Sequence, residues 1–322
     1  MTGTSASNAT ARPELLAVAP LMPFLMEALC REYTVHDRIH VSDPAAFAEV
    51  APRIRGVVAN GEAKVPRELI AQLPALEVIS VFGVGYDGID VAAAHERGVP
   101  VTNTPEVLND DVADLAIGLM LAVARRIPQA DRFVRGNEWP KGPIALARKV
   151  TGSRLGIVGM GRIGQAIAHR AGAFGMDIAY TARSPRGNVN YTYYPDAASL
   201  ASAVDFLIVI TPGGAATRGM IDARVLKALG PEGYLVNVAR GSVVDEPALI
   251  EALRGGVIAG AALDVFANEP QVPEALREMS NVVLTPHIGS GTRQTREAMG
   301  RLTFDNLRAH FTGAPLLTPV DA

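Results

Sequence analysis

The most constraining feature of this sequence is a glycine-rich turn set between an apolar strand and a helix. Leu155–Val158 runs straight into Gly159-Met160-Gly161-Arg162-Ile163-Gly164, and Ile163–Phe174 then carries a helical pattern. G-x-G-x-x-G alone is common. Between a strand and a helix N-terminus it specifies a dinucleotide-binding βα turn. Gly159 permits the tight turn, Gly161 leaves room for a pyrophosphate against the backbone, and Gly164 lets helix and strand pack closely. Phosphate oxygens then meet free N–H groups at the positive end of the helix dipole. The unit therefore predicts a layered α/β protein with a parallel sheet.

The rest of the chain agrees with that class. After the turn come strands at Asp177–Thr181, Phe206–Ile210, Tyr234–Val238, Ala259–Leu263 and Val282–Leu284, with helices between them and a last helix over Thr292–Phe311. Before it lie short apolar runs at Leu16–Ala19, Val57–Ala59 and Val78–Val81, with helices expected over Met22–Glu32 and Pro66–Gln72. A long helix is expected from Pro105 to about Arg126, with the early acids Glu106, Asp110 and Asp111 complementing its dipole. Its middle, VADLAIGLMLAVA, is apolar nearly all round, which predicts burial between domains or between subunits.

With 322 residues the chain suits two domains. Its 48% hydrophobic and 20% charged residues are ordinary for a globular protein, and a net charge of −3 gives no footprint for a polyanion such as nucleic acid. The apolar runs are too short to span a membrane. The start, MTGTSASNATARPELL, lacks the pattern of a secretory signal and reads as a frayed Ser/Thr/Ala-rich segment. The single cysteine, Cys30, can make no internal disulfide and sits in an apolar stretch, so it reads as a core residue of a cytoplasmic protein.

The end of the strand Asp177–Thr181 bears on the choice of dinucleotide. An NAD site usually has Asp or Glu there, for the ribose 2′-hydroxyl. This chain reads Ala182-Arg183-Ser184-Pro185-Arg186, and the one nearby acid, Asp177, stands at the wrong end of the strand. Arg183, Ser184 and Arg186 match the charge and geometry of a 2′-phosphate, so NADPH is the expected cofactor. The alternative is that both arginines are solvated loop cations and NADH is accepted too.

Three polar residues follow apolar strands in the second half: Arg240 in NVARGSVVDE, Glu269 in LDVFANEP and His287 in LTPHIGSGT. Carboxyl ends of parallel strands are where doubly wound sheets bind ligands. Reduction of a 2-keto acid needs a cation for the carboxylate, a proton donor for the carbonyl oxygen and a group that keeps that donor oriented and protonated. Arg240, His287 and Glu269 are of the right types for these roles. Each has a plainer reading: a helix-start ion pair for Arg240, a solvated loop acid for Glu269. Of the other histidines, His169 and His310 lie in helices and read as structural; His287 alone stands at a sheet end, beside Gly289 and Ser290. No metal site is expected.

Taken in order, VFGVGYDGID, NTPEVLNDDVADLAIGLMLAVAR, GIVGMGRIG, NVARGSVVDE, LDVFANEP and LTPHIGSGT resemble the D-isomer-specific 2-hydroxyacid dehydrogenases over nearly the whole chain. NVNYTYYP, ANEPQVPEAL and HIGSGTRQTREAM are similar to its NADPH-preferring glyoxylate/hydroxypyruvate reductases. The resemblance implies a catalytic trio of Arg240, Glu269 and His287. It implies backbone N–H donors to the substrate carboxylate at Val84 and Gly85, in a loop where Gly83 and Gly85 allow close approach. Asp264 would meet the nicotinamide carboxamide, and Thr211, Pro212, Val238 and Ala239 would line the cofactor. The segment ITPGGAATRG departs from the family's usual composition, which leaves that loop's contacts open. Trp139, the only tryptophan, either anchors its irregular segment or selects substrate.

The family's architecture is a Rossmann cofactor domain, here 103–292, inserted into a discontinuous flavodoxin-like substrate domain, here 1–102 with 293–322. Both would be doubly wound parallel sheets, hinged about a cleft, in a homodimer. Three other functions compete. A phosphoglycerate-type relative would carry a further regulatory domain, and a formate dehydrogenase would lack the Glu–His pair. A nucleotide-sensing interaction protein or corepressor could use the same fold without turnover.

Overall fold

The computed structural model describes residues 12–321; the first part of the segment expected to be frayed, residues 1–11, lies outside them. Its last residues are ordered, since Glu14 already begins a strand. The chain forms two compact units. One comprises the described residues up to Val107 together with those from Arg296 onward; the other is Leu108–Thr295.

The first unit holds strands β1 (Glu14–Ala17), β2 (Thr34–Asp37), β3 (Ile54–Asn60), β4 (Val78–Phe82) and β5 (Val101–Thr102). All pair in parallel in the order β2-β1-β3-β4-β5, the flavodoxin-like winding. Every residue of β4 is buried, as a strand covered on both faces requires. The helix Pro23–Glu32 buries Leu25 and Leu29, and Cys30 is exposed. The core placement expected for Cys30 is thus overturned: one residue is a rotation of about 100° on a helix, which turns Cys30 away from the face of Leu29.

The second unit holds β6 (Arg154–Val158), β7 (Asp177–Thr181), β8 (Thr192–Tyr193), β9 (Phe206–Val209), β10 (Tyr234–Asn237), β11 (Gly260–Leu263) and β12 (Val282–Leu284). Their order, β12-β11-β10-β9-β6-β7-β8, is again wholly parallel. The winding reverses between β6 and β9, the switch point at which a Rossmann sheet opens a crevice. Strands β9 and β11 are buried throughout.

The register brings the strand ends level. Thr181 pairs with Val158, Val158 with Val209, Val209 with Asn237, Asn237 with Leu263, and Leu263 with Leu284. One row of residues thus crosses the sheet from β7 to β12, and the loops that follow it all leave from the same edge.

The long helix differs from expectation at its start and in what covers it. It runs Asn109–Ala124, because Glu106 takes a left-handed φ of 73° that cannot continue from Pro105 as α-helix. Its buried side, including Val112, Ala116, Met120 and Val123, packs within its own unit on the helix Arg162–Gly172 and on β10 to β12. Arg170 joins the two helices through Asp110 at 2.9 Å and Asp114. The packing inside this unit accounts for the burial of that side of the helix. A second helix, Ile127–Arg135, follows it and buries no residue.

Candidate active site and dinucleotide turn

The glycine turn leaves the row of strand ends at β6. Gly159 has φ +109°, and a Cβ there would lie 2.9 Å from the backbone of Ile210 and Thr211. At Gly164 a Cβ would overlap the carbonyl oxygen of Gly159. These two glycines are therefore fixed by close approach of backbone to backbone. Gly161 is different: a Cβ there would meet nothing within 4 Å. It is the N-cap of the helix Arg162–Gly172 and makes no side-chain cap. The first-turn N–H groups, beside Arg162 and Ile163, thus face an open cradle of the kind a pyrophosphate fills. The residues present fit a dinucleotide.

Beside it, β7 delivers the basic loop. Arg183, Ser184 and Arg186 are exposed, and Asp177 is the first residue of the strand, at its far end. On the other side β9 leads to Thr211, which touches the glycine turn through the position of Gly159, and to the exposed Pro212. The atypical ITPGGAATRG loop closes on itself, with Thr217 Oγ1 donating to the Pro212 carbonyl at 2.7 Å.

Strands β10, β11 and β12 supply the polar trio. After β10, the buried Asn237 shapes the turn: its Nδ2 donates to the Arg240 carbonyl at 3.0 Å and its Oδ1 accepts from Ala239 N at 3.1 Å. Val238 and Ala239 are buried, while Arg240 is half-buried with Nη1 donating to the Ala239 carbonyl at 2.8 Å. A Cβ on Gly241 would overlap the Phe266 carbonyl, so this turn presses on the segment that carries Glu269.

Glu269 is held at both oxygens. Oε1 accepts from Phe266 N at 2.9 Å, and Oε2 lies 2.7 Å from His287 Nδ1. The two side chains are 20% and 29% exposed, enough to keep them accessible and enough burial to keep them paired. With Nδ1 turned to the carboxylate, Nε2 lies on the opposite side of the ring from Glu269. His287 itself sits at φ +51°, a left-handed conformation that a non-glycine residue keeps only when its surroundings impose it.

Asp264 imposes it. This aspartate is 1% exposed. Its Oδ1 accepts from Thr285 Oγ1 at 2.6 Å and Ile288 N at 2.9 Å, and Oδ2 accepts from Gly289 N at 2.9 Å. Its carbonyl accepts from His287 N at 2.9 Å. Burial pushes its carboxyl above the usual range, partly offset by these donors. Gly289 is buried against Asp264, and Ser290 is half-buried beside it. In the described residues Asp264 thus holds the turn on which His287 stands.

Val84 and Gly85 belong to the first unit, half-buried in the loop that leaves the carboxyl end of β4. Asn103 Nδ2 donates to the Val84 carbonyl at 2.9 Å and fixes that loop. Trp139 is 68% exposed, so it does not anchor its segment by burial. His310 bonds Glu77 at 3.3 Å, a structural role, as expected; His169 is an exposed helix residue without a buried packing role. Residue reading missed Asn237 and Thr285. The available signal was a polar residue where an apolar strand ends, just before the functional side chain.

Comparison with known proteins agrees with this geometry. Residues 117–289 match the model of the D-isomer specific 2-hydroxyacid dehydrogenase, NAD binding domain. A hydroxyphenylpyruvate reductase from Plectranthus scutellarioides is 48% identical over 309 residues, covering 95% of this chain and 98% of that protein. A glyoxylate/hydroxypyruvate reductase from Arabidopsis thaliana is 51% identical over 267 residues, covering 83% and 85%. The crystal structure of an NADPH-dependent glyoxylate/hydroxypyruvate reductase from Sinorhizobium meliloti, in complex with NADP and malonate, is 46% identical and superposes with a TM-score of 0.91 over 96% of this chain and 97% of that one. On fold, ordered site and relatives alike, the chain belongs to the D-isomer-specific 2-hydroxyacid dehydrogenases.

Proposed function

We propose that the protein is an NADPH-dependent reductase of small 2-keto acids, taking glyoxylate to glycolate and hydroxypyruvate to D-glycerate. The observation that carries this reading is the His287 Nδ1–Glu269 Oε2 contact of 2.7 Å, level with Arg240 at the carboxyl edge of the sheet. The bound nicotinamide supplies the hydride. His287 as imidazolium carries the proton on Nε2 for the carbonyl oxygen, and the Glu269 carboxylate, accepting from Nδ1–H, orients the ring and favours that charged form. Arg240 offers its guanidinium fork to the substrate's carboxylate and carbonyl. Val84 and Gly85 are proposed as N–H donors to the carboxylate, and Trp139 as a substrate-selecting residue. Asp264, besides holding the turn, is proposed to meet the carboxamide.

The exposed Arg183, Ser184 and Arg186 support NADPH over NADH, as does the NADP bound by the Sinorhizobium meliloti relative. Thr211, Pro212, Val238, Ala239, Gly289 and Ser290 are proposed as the remaining cofactor lining. A homodimer is supported by a run of exposed apolar residues: Ile127 at 52%, Val134 at 54%, Trp139 at 68% and Leu146 at 98%. Such a run needs a cover. Leu146→Glu should shift the sedimentation of the dimer toward monomer. The exposed thiol of Cys30 suits a reducing, cytosolic setting. Among the described residues no helix is long and apolar enough to cross a membrane.

The test is to follow cofactor absorbance with purified protein, offering NADPH or NADH with glyoxylate, hydroxypyruvate, pyruvate and phosphohydroxypyruvate. Rapid NADPH oxidation with the first two is the expected result. No oxidation with any of the four would defeat this substrate class.

A further inference from the structure

Long basic side chains on a free loop bind weakly, because ordering them costs conformational entropy. The loop with Arg183, Ser184 and Arg186 is exposed, yet it is tied down from below. Tyr180, in β7, is 1% exposed and pairs in register with Tyr193 of β8. Their rings meet edge-on at 5.5 Å. The Tyr180 hydroxyl accepts a hydrogen bond from Arg186 N at 2.7 Å. From β8 the Tyr193 hydroxyl donates to the Ala182 carbonyl at 3.4 Å. Beyond the arginines, Asn188 Nδ2 donates to Gln165 Oε1 at 3.1 Å, on the helix that opens the glycine turn.

The Tyr180 tie is the shortest of the three, and its ring is buried. Phenylalanine would fill the same space and make the same ring contact. A phenol buried there would cost free energy if its oxygen were unused, and its bond to Arg186 N is the use visible in the structure.

We propose that Tyr180 is a positioning residue for cofactor choice: its hydroxyl fixes the backbone at Arg186 and so holds the basic loop in the shape that receives a 2′-phosphate. This rests on the NADPH reading above. NADH lacks that phosphate, so loosening the loop weakens NADPH and spares NADH. A tyrosine that merely supported the sheet would affect both cofactors alike.

The experiment measures dissociation constants of NADPH and NADH by nicotinamide fluorescence, which requires no knowledge of the keto acid. It compares the unaltered protein with Tyr180→Phe, Tyr193→Phe and the double variant Arg183→Ala/Arg186→Ala. Loss of one partly buried hydrogen bond predicts NADPH binding weakened about fivefold in Tyr180→Phe, with NADH and the thermal unfolding midpoint nearly unchanged. Equal weakening of both cofactors, or of neither, overturns the proposal. If the arginine double variant leaves NADPH and NADH unaltered relative to one another, the NADPH reading fails and the proposal with it. If the arginines matter and Tyr180→Phe does not, the proposal fails alone. Should Tyr180→Phe not fold, Tyr193→Phe carries the test: a selective loss of about twofold for NADPH is expected from its weaker bond, and no selective loss overturns the proposal.

Discussion

The two edges of the seven-stranded sheet each carry a sequestered aspartate, and the two are treated in opposite ways. Asp205 stands at the amino edge, just before β9. Its carboxylate meets Arg154 through N at 2.8 Å and Nη2 at 3.0 Å, and Arg148 through Nη2 at 3.2 Å. The Arg154 guanidinium holds its carboxyl below the usual range. Asp264 stands at the carboxyl edge, just after β11, and is bonded only by neutral donors. There burial wins and the carboxyl is pushed up. A charge met by cations supports the fold. One whose hydrogen-bond donors are all neutral gives up stability and persists where it holds something else in place, here the His287 turn.

The largest effect that would sharpen this contrast is on His287. Removing the proton donor as His287→Ala should cut kcat by about 10²- to 10⁴-fold. NADPH affinity and the unfolding midpoint should stay close to those of the unaltered protein, since the glycine turn proposed to hold the phosphates lies after β6 and the His287 side chain is not among the proposed cofactor-lining groups. Parallel loss of cofactor binding would mean that the two ends of the strand row are not separate in function.

Asp264→Asn comes next. An amide cannot accept on both sides, so one of the Thr285, Ile288 and Gly289 donors would face an NH₂ group. The turn should shift and kcat should fall by about tenfold, while the midpoint changes little because a buried charge is removed at the same time. The sign of the pH effect follows from the raised carboxyl. Its contribution to stability is present below the unfolded-state value and is lost as pH rises through the folded value. The unaltered protein should therefore gain on Asp264→Asn as pH is lowered through that window. A variant with full activity would show that Asp264 does not position His287.

How much of this was readable from sequence depends on whether the signal was local. The glycine turn, Arg240, Glu269 and His287 each stand directly after an apolar run, so strand and site were legible together. The parallel order then made neighbours of residues far apart in the chain. Short elements were not legible: β5 and β8 are two residues each and are made by pairing with a neighbour rather than by their own pattern. The start of the long helix was misplaced because proline marks a helix N-terminus well, and the left-handed Glu106 that follows cannot be read from its type. Cys30 was misplaced because an apolar stretch does not say which face of a helix is covered. Asn237, Thr285 and Tyr180 act through register, which no single strand displays.

Cofactor choice should respond less than chemistry, since it rests on exposed side chains. Arg183→Ala should weaken NADPH about tenfold, as loss of one charge-assisted contact to a phosphate, and leave NADH nearly unchanged. Fluorescence titration with both cofactors checks it. Equal effects would place Arg183 outside the 2′-phosphate site and remove the case for NADPH drawn from this loop.

Asp205→Asn tests the other half of the comparison and should have the smallest effect. Arg148 and Arg154 are 31% and 54% exposed, so solvent screens their pairing with Asp205 and the loss should be about 1 kcal/mol. Because the folded carboxyl titrates below the unfolded one, that stability is present above the ordinary carboxylate value and is lost as pH falls through the folded value. Denaturant midpoints of the two proteins should therefore differ at neutral pH and converge in acid, the reverse of the trend at Asp264. Turnover and both cofactor affinities should be unchanged, because nothing at the amino edge reaches the row of strand ends. A variant that lost activity while keeping its midpoint would show that the amino edge takes part in function, and the division of labour between the two aspartates would not stand.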